Sequence, residues 1–260
     1  MVNTFLALSK KEVTQMTKEF KIVWLPIVFI LLGLTQPIMM YYMPVILQSM
    51  GGVEGIMIDP TLAKPEGSEV LATTLSSQFD QLGIIILAVA AMSIIQGEKA
   101  NGMMAFILTR PVSISSYLNS KIIVHYLVAV FCIALGYGMS YGYTSFLFTA
   151  VPVTHALLAL LFYCVWLLFV ITFVAMMSTF FNSSAFIALA SIVVLFICRF
   201  IAGLHPLLDV VNPASNSLHA TTILMSGNMK AWYGFHSAVT MLLVIWMIAI
   251  MRHFIAKRKF

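Results

Sequence analysis

Charged residues are scarce in this sequence: Asp, Glu, Lys and Arg make up 9% of its 260 residues, while apolar residues make up 61%. A soluble domain usually has about a quarter charged residues. A chain with so little charge cannot cover its apolar side chains with polar surface in water, so we expect an all-α integral membrane protein. The length suits one transmembrane domain over residues 1–260 and leaves no stretch for a soluble catalytic domain.

The sequence also lacks the common motifs of catalysis and metal binding. It has no G-x-x-x-x-G-K-[ST] phosphate loop, so any ATP must be bound by another chain. Its six histidines include no H-E-x-x-H motif and no pair four residues apart, which disfavours a metalloprotease. The cysteines Cys132, Cys164 and Cys198 lie in apolar runs without a C-x-x-C pair. We therefore predict no metal, no cofactor and no catalytic residue in this chain.

Apolar runs long enough to cross a bilayer, which takes about 20 helical residues, occur six times. The predicted spans are residues 22–48, 80–97, 120–149, 154–181, 184–204 and 233–254. Three prolines, Pro26, Pro37 and Pro44, predict that the first span is kinked or broken near its outer end.

Small residues recur in the third predicted span, where they favour close packing against another helix. They are Gly136, Gly138, Ser140 and Gly142.

Two further segments are predicted to touch the membrane without crossing it. Residues 1–21 alternate lysines with apolar residues at roughly helical spacing, which favours an amphipathic interfacial helix over a ragged polar tail. Residues 205–232 are moderately apolar and are predicted to form an extracellular re-entrant stretch.

Basic residues cluster on one side of this scheme, which accounts for the net charge of +5 without a nucleic-acid partner. Eleven of the fourteen lie there: Lys10, Lys11, Lys18, Lys21, Lys99, Arg110, Lys121, Arg252, Lys257, Arg258 and Lys259. The excess of basic residues in cytoplasmic loops predicts that both termini and the connection 98–119 are cytoplasmic. The acidic residues of 50–80, Asp80 among them, are then predicted to face outwards.

Arg199 is an ionisable residue inside the apolar fifth span, and such residues usually face a cavity or a partner. Asp209, which follows the turn at Pro206, is its predicted ion-pair partner. Two interpretations stay open. Arg199 lines the exit of a pathway or contacts an anionic group, or it makes a structural ion pair or extends to the membrane interface.

The connection after the second span, Gln96 to Lys121, has the most specific pattern in the chain. Asn101–Gly102 predicts a turn, Met103–Leu108 a short apolar helix, and the proline at 111 its end. Ser113 is predicted to cap the next helix. A short amphipathic helix held between two spans is suited to docking in a groove of a partner.

This pattern resembles the permease subunits of type-2 ABC exporters. That family commonly shows an acidic residue after the second span, a glycine four positions later, an apolar run, a proline followed by Ser or Thr, and a lysine entering the third span. The matching residues are Glu98, Gly102, Met103–Leu108, Pro111, Ser113 and Lys121. Met103 departs from the family, which often has Thr or Ser there. The layout of basic amphipathic start, six spans and two cytoplasmic ends extends the resemblance over nearly the whole chain.

The resemblance implies a non-catalytic subunit in a bacterial plasma membrane. Two permeases, identical or paralogous, would form the pathway, and two ABC ATPase subunits would bind ATP and Mg beneath them, with the N-terminal helix bracing the contact. The implied ATPase-coupling residues are Glu98, Asn101, Gly102, Met103, Phe106, Arg110 and Pro111. We expect the cargo to be an amphipathic peptide, an antimicrobial compound or a lipid-like molecule. The alternatives are a toxin-immunity or sensing complex without full transport, and a self-sufficient membrane enzyme or channel.

Overall fold

The computed structural model describes residues 2–49, 65–109 and 112–257, and their regular structure is entirely helical. The elements are α1 (Val2–Lys18), α2 (Lys21–Ser49), α3 (Gly67–Thr73), a π-helical segment (Thr74–Gly83), α4 (Ile84–Ala91), α5 (Gln96–Ala100), α6 (Met103–Leu108), α7 (Ile114–Leu147), α8 (Val153–Phe180), α9 (Ser184–Ile201), α10 (Pro206–Val211), α11 (Ser215–Ser226) and α12 (Ala231–Lys257). The helix predicted at the N-terminus is confirmed as α1, and Phe20, in the left-handed backbone region (φ 56°), turns the chain from α1 into α2.

Six helical stretches within the described residues are long and apolar enough to cross a bilayer, which confirms the predicted all-α membrane fold. They are Lys21–Ile46, Gly67–Ala100, Ile114–Leu147, Val153–Phe180, Ser184–Ile201 and Ala231–Lys257. The first was predicted to be kinked or broken; it is not broken, because α2 stays helical past all three prolines to Ser49, and the kink stays a prediction. Packing along α7 supports this helix where local proline chemistry alone would end it.

The second span begins well before its predicted start at residue 80. It runs from Gly67 through α3, the π-helical segment and α4 to α5. Gly67 fixes its beginning: its N–H donates to Thr149 Oγ1 at 2.8 Å, and a Cβ there would collide with the carbonyl oxygen of Thr149. The added turns contain Ser, Thr, Gln and Asp side chains. Sequence hydropathy missed them because several of these polar groups are buried against protein instead of facing lipid.

Helices α2 and α7 touch backbone to backbone at two glycines. A methyl group on Gly136 would overlap the carbonyl of Phe29, and one on Gly33 would overlap the carbonyl of Gly136. The predicted close packing is therefore confirmed for Gly136. The same prediction is wrong for Gly138 and Gly142, because a Cβ on either would meet open space. Residues two apart lie on different sides of a helix, so the four small residues could not all face one neighbour.

The core has two parts, and the smaller one positions the connection after the second span. The larger surrounds Trp166 and Tyr163 of α8. The smaller joins Ile95, Met104, Tyr117, Leu118 and Met251, from the end of the second span, α6, the start of α7 and the end of α12. Helix α6 is thus anchored in the bundle by its own apolar residues.

The stretch predicted to be re-entrant contains the short helices α10 and α11. Helix α11 packs on α8, α3 and α12 and buries polar residues, including Ser215, Asn216 and Ser217. Gly227, with φ 68°, ends it in the left-handed conformation that often terminates helices. The buried polar side chains of α11 create one of the two polar clusters described next.

Candidate functional site

A buried cluster of charges joins α1, α5 and α7. We call Lys11, Glu12, Glu98, Tyr117 and Lys121 the basal ion cluster. Glu98 Oε1 is paired with Lys11 Nζ and lies 3.2 Å from Lys121 Nζ, and Glu98 Oε2 accepts a hydrogen bond of 2.6 Å from the Tyr117 hydroxyl. Glu12 Oε1 lies 3.0 Å from Lys121 Nζ and 3.5 Å from Lys11 Nζ. Two lysines and two glutamates balance one another, which permits Lys121 to be only 1% exposed.

The basal ion cluster fixes the N-terminal helix to the end of the second span. Sequence reasoning selected Glu98 and Lys121 but gave no role to Glu12. A signal was present: Leu8, Glu12 and Met16 are four residues apart, so a carboxylate lies in the middle of the apolar face of α1. A charge on a buried face needs a partner, and that partner comes from α7.

Backbone groups freed by the bend before α5 are satisfied by α8. Ser178 Oγ accepts hydrogen bonds from the N–H groups of Ile95 and Gln96, at 3.1 and 2.8 Å, and donates to the carbonyl of Met92 at 3.0 Å. Lys99 Nζ donates to the carbonyls of Thr179 and Phe181, at 3.0 and 2.6 Å. A lysine at a helix C-terminus satisfies carbonyls that have no partner within the helix. Helix α5 is therefore bound to α8 as well as to α1 and α7.

Helix α6 has one anchored face and one exposed face. It begins after Gly102, whose φ of 68° confirms the predicted turn. Met104 and Ile107 are buried, whereas Met103 and Phe106 are 45% and 56% exposed. The helix predicted over 103–108 is thus confirmed. Arg110 and Pro111, the last two predicted coupling residues, lie outside the described residues.

A surface cavity of about 390 Å³ lies on the other side of α6, where Met104 and Ala105 line it. Its remaining lining includes Gln96, Lys99 and Asn182. We call the exposed side chains of Met103 and Phe106 the α6 surface. Downstream, the predicted cap of the next helix is confirmed, because Ser113 Oγ accepts a 3.1 Å hydrogen bond from the N–H of Ser116. The α6 surface thus presents two neighbouring apolar side chains that can insert into a groove of another protein.

A second polar cluster lies inside the bundle, and it corrects the predicted partner of Arg199. Arg199 Nε donates to Asp80 Oδ2 at 2.6 Å, and Ser217 donates to the same oxygen. Asp209 Oδ1 instead accepts from the backbone N–H of Gly203 at 2.8 Å. The prediction that Asp80 faces outwards is also wrong. It belongs to the longer second span and is fully buried, where only a cation and hydroxyl groups can compensate its charge.

Part of the Asp80 carboxylate has no standard hydrogen bond. The Tyr163 hydroxyl lies beside Asp80, yet neither it nor Asp80 Oδ1 makes a hydrogen bond of standard geometry in the described part of the chain. Asp80 therefore depends almost wholly on Arg199 and Ser217 for compensation. Sequence analysis found Arg199, but the carboxylate it pairs with is 119 residues away.

Polar side chains of α11 continue this cluster towards α12. Asn216 donates to Thr240 Oγ1 at 2.8 Å and accepts from Ser237 at 2.6 Å. The His219 and His236 rings share a hydrogen bond of 2.9 Å, and His219 stacks on Tyr233 with centroids 3.9 Å apart. Burial lowers the pKa of His219 to about 4, so this ring is neutral at physiological pH. His219 therefore packs and hydrogen-bonds within the bundle.

Six apolar helices, together with charged groups that are buried and paired, define the chain as a multi-pass all-α membrane protein. The chain is 32% identical over 245 residues to the uncharacterized transmembrane protein YxlG of Bacillus subtilis (strain 168), and the match covers 94% of each chain. It belongs to the same family as that protein. No model of a known protein family matches the chain.

Proposed function

We propose that this chain is the permease subunit of an ATP-driven exporter of the type-2 ABC class. In this proposal it forms the translocation pathway with a second permease, identical or paralogous, in a bacterial plasma membrane. Two separate ATPase subunits bind ATP and Mg and dock on the cytoplasmic side. The cargo is an amphipathic peptide, an antimicrobial compound or a lipid-like molecule.

The observation that carries the proposal is the construction of α6. Met103 and Phe106 stay exposed although the same helix buries Met104 and Ile107. Apolar side chains presented on one face of a short helix are typical of helix-in-groove docking. The α6 surface lies beside the basic helix ends, where the charge distribution favours the cytoplasm. This supports an ATPase as the docked partner.

Rigid connections support a coupling role for this surface. Helix α5 next to α6 is tied to α1 and α7 through Glu98, and to α8 through Lys99 and Ser178. A force applied to α6 by closing ATPase subunits would therefore act on three helices at once. One of them, α7, has 34 residues and extends about 50 Å, enough to cross the bilayer.

Helix α2 would move together with α7 in this proposal. The two helices are in contact at Gly33 and Gly136 without side chains between them. Close-packed interiors transmit displacement instead of absorbing it. The α6 surface is thus mechanically linked to two long spans, as a pathway between two permeases that opens and closes would require.

The decisive experiment is co-purification with a candidate ABC ATPase, of which one encoded by a neighbouring gene is the first choice. Phe106→Ala, combined with Met103→Ala, is expected to reduce recovery of the ATPase at least tenfold, because exposed apolar anchors dominate such interfaces. Phe146→Ala is the matched control. Phe146 is 84% exposed near the other end of α7, about 50 Å away at 1.5 Å per residue.

Equal ATPase recovery by the α6 variants and the Phe146 variant would contradict the proposed docking surface. Recovery of no ATPase even with the unaltered chain would contradict the proposed function itself. The thermal unfolding midpoint of each variant shows whether the substitutions have left the bundle intact.

A further inference from the structure

A groove between the start of α7 and the end of α12 has no role in the coupling mechanism. It is a cavity of about 590 Å³ open to the surface. Ser115 and Asn119 line it from α7, and Ile245, Ala249, Arg252 and His253 line it from α12. It lies on the bundle end at which α6 is anchored, because Tyr117 and Met251 belong to the same core cluster as Met104.

The groove changes from apolar to polar along α12. Ile245, Ala249 and Arg252 are separated by four and three residues, which places them on one face of the helix. At 1.5 Å per residue, Ile245 lies about 10 Å deeper in the span than Arg252. Ser115 and Asn119, four residues apart, face them from the beginning of α7. The groove therefore has a polar mouth at the helix ends and an apolar wall below it.

The polar mouth carries an uncompensated positive charge. Within the described ranges, Arg252 forms no ion pair. The side-chain carboxylates described at this end of the bundle are paired with other cations: Glu12 and Glu98 belong to the basal ion cluster, and Glu19 is 2.6 Å from Lys21. The Asn119 amide and the Ser115 hydroxyl likewise have no hydrogen-bond partner among the residues described. Arg252, Asn119 and Ser115 thus converge on the groove without a partner in the described part of the chain, and His253 lines the groove beside them.

We propose that this groove binds an anionic phospholipid. Arg252 pairs with the phosphate, while His253, Asn119 and Ser115 supply further donors to the headgroup. One acyl chain follows the apolar wall along Ile245 and Ala249. A lipid fits both ends of the groove, whereas a soluble phosphate ion would leave the apolar wall uncovered. The inference uses the groove alone and is independent of any ATPase partner.

Native mass spectrometry of the full chain in a neutral detergent tests the proposal. The protein is titrated in parallel with phosphatidylglycerol and with zwitterionic phosphatidylethanolamine. We expect tight binding of phosphatidylglycerol and an affinity about fivefold lower in Arg252→Gln, the effect typical of one cation at a lipid headgroup. Lys257→Gln removes the same charge from the same helix outside the groove, and it is expected to leave the affinity unchanged.

A second variant keeps the test decisive if Arg252→Gln fails to fold. Ala249 is exposed on the groove wall, so Ala249→Trp fills the apolar part without disturbing the core. It is expected to abolish tight phosphatidylglycerol binding. Equal loss in Arg252→Gln and Lys257→Gln, equal binding of the two lipids, or displacement of phosphatidylglycerol by millimolar inorganic phosphate would each overturn the proposal.

Discussion

Removing the guanidinium of Arg199 should destabilise the protein more than removing its partner's charge. Arg199→Leu leaves Asp80 fully buried, with only the Ser217 hydroxyl donating to it. Breaking a buried ion pair in this way typically costs about 3–5 kcal/mol, because an uncompensated charge stays in the interior. Arg199 is 21% exposed, so we expect the lower end of that range, about 3 kcal/mol.

Asp80→Asn should cost less, about 1 kcal/mol, because the partly exposed guanidinium can reach water while the amide still hydrogen-bonds Ser217. The double variant Asp80→Asn/Arg199→Leu should recover most of the loss, since no charge is then buried. The thermal unfolding midpoint of the purified protein measures all three variants. A cost of 3 kcal/mol corresponds to a fall of roughly 6–12 °C.

Two outcomes would refute this reasoning. One is an Arg199→Leu variant with the unfolding midpoint of the unaltered protein. The other is a double variant less stable than Arg199→Leu. The same variants decide between the two interpretations of Arg199. If the folded double variant keeps the proposed export activity, the pair is structural, and if it is folded but has lost that activity, the pair belongs to the proposed pathway.

Three further predictions follow from particular contacts. Gly136→Ala should lower the unfolding midpoint, because the added methyl group overlaps the carbonyl of Phe29. Gly138→Ala is the control, and it should leave the midpoint unchanged because its methyl group enters open space. Equal midpoints for the two variants would contradict the contact. Acidification from pH 6.5 towards 4 should destabilise the protein, because His219 binds a proton in the unfolded chain but stays neutral in the folded protein, where its pKa is about 4. A His219→Gln variant should therefore show a weaker pH dependence of the unfolding midpoint. An unchanged pH dependence would count against this reasoning. Phe106→Cys, in a chain without its native cysteines, should react with a membrane-impermeant maleimide only in inside-out vesicles. Labelling from the outside of intact cells would contradict the proposed orientation.

The two charged clusters show how this chain tolerates ionisable groups in so apolar an environment. Each charged residue of the basal ion cluster is paired with a residue of opposite charge, and Tyr117 donates a hydrogen bond to Glu98. Among the described residues, Asp80 pairs with one cation, Arg199, and is fully buried. A buried charge with several partners keeps part of its compensation when one partner is displaced, whereas a charge in an isolated ion pair loses most of it. We therefore expect substitutions at Asp80 and Arg199 to be less tolerated than exposed substitutions on the same helices.

Local sequence properties were enough to predict the elements themselves. Runs of about 20 apolar residues predict spans because a helix must satisfy its backbone within lipid. The helix over 103–108, the turn at Gly102 and the cap at Ser113 were also predictable, since each depends on residues within a few positions of one another. The start of the second span could not be predicted in this way. The residues before position 80 include polar side chains, and these are buried against other helices instead of facing lipid.

Pairings between distant residues were decided by the tertiary structure alone. Arg199 is ten residues from Asp209, yet its partner is Asp80, 119 residues away. Likewise, Glu12 meets Lys121 across 109 residues, and of the three glycines in α7 only Gly136 contacts α2. Periodicity reveals which face of a helix is apolar, but the identity of the neighbour on that face depends on how six spans pack together. In this protein, composition and spacing determined that the chain crosses a membrane as helices, and packing determined which of its few charges meet.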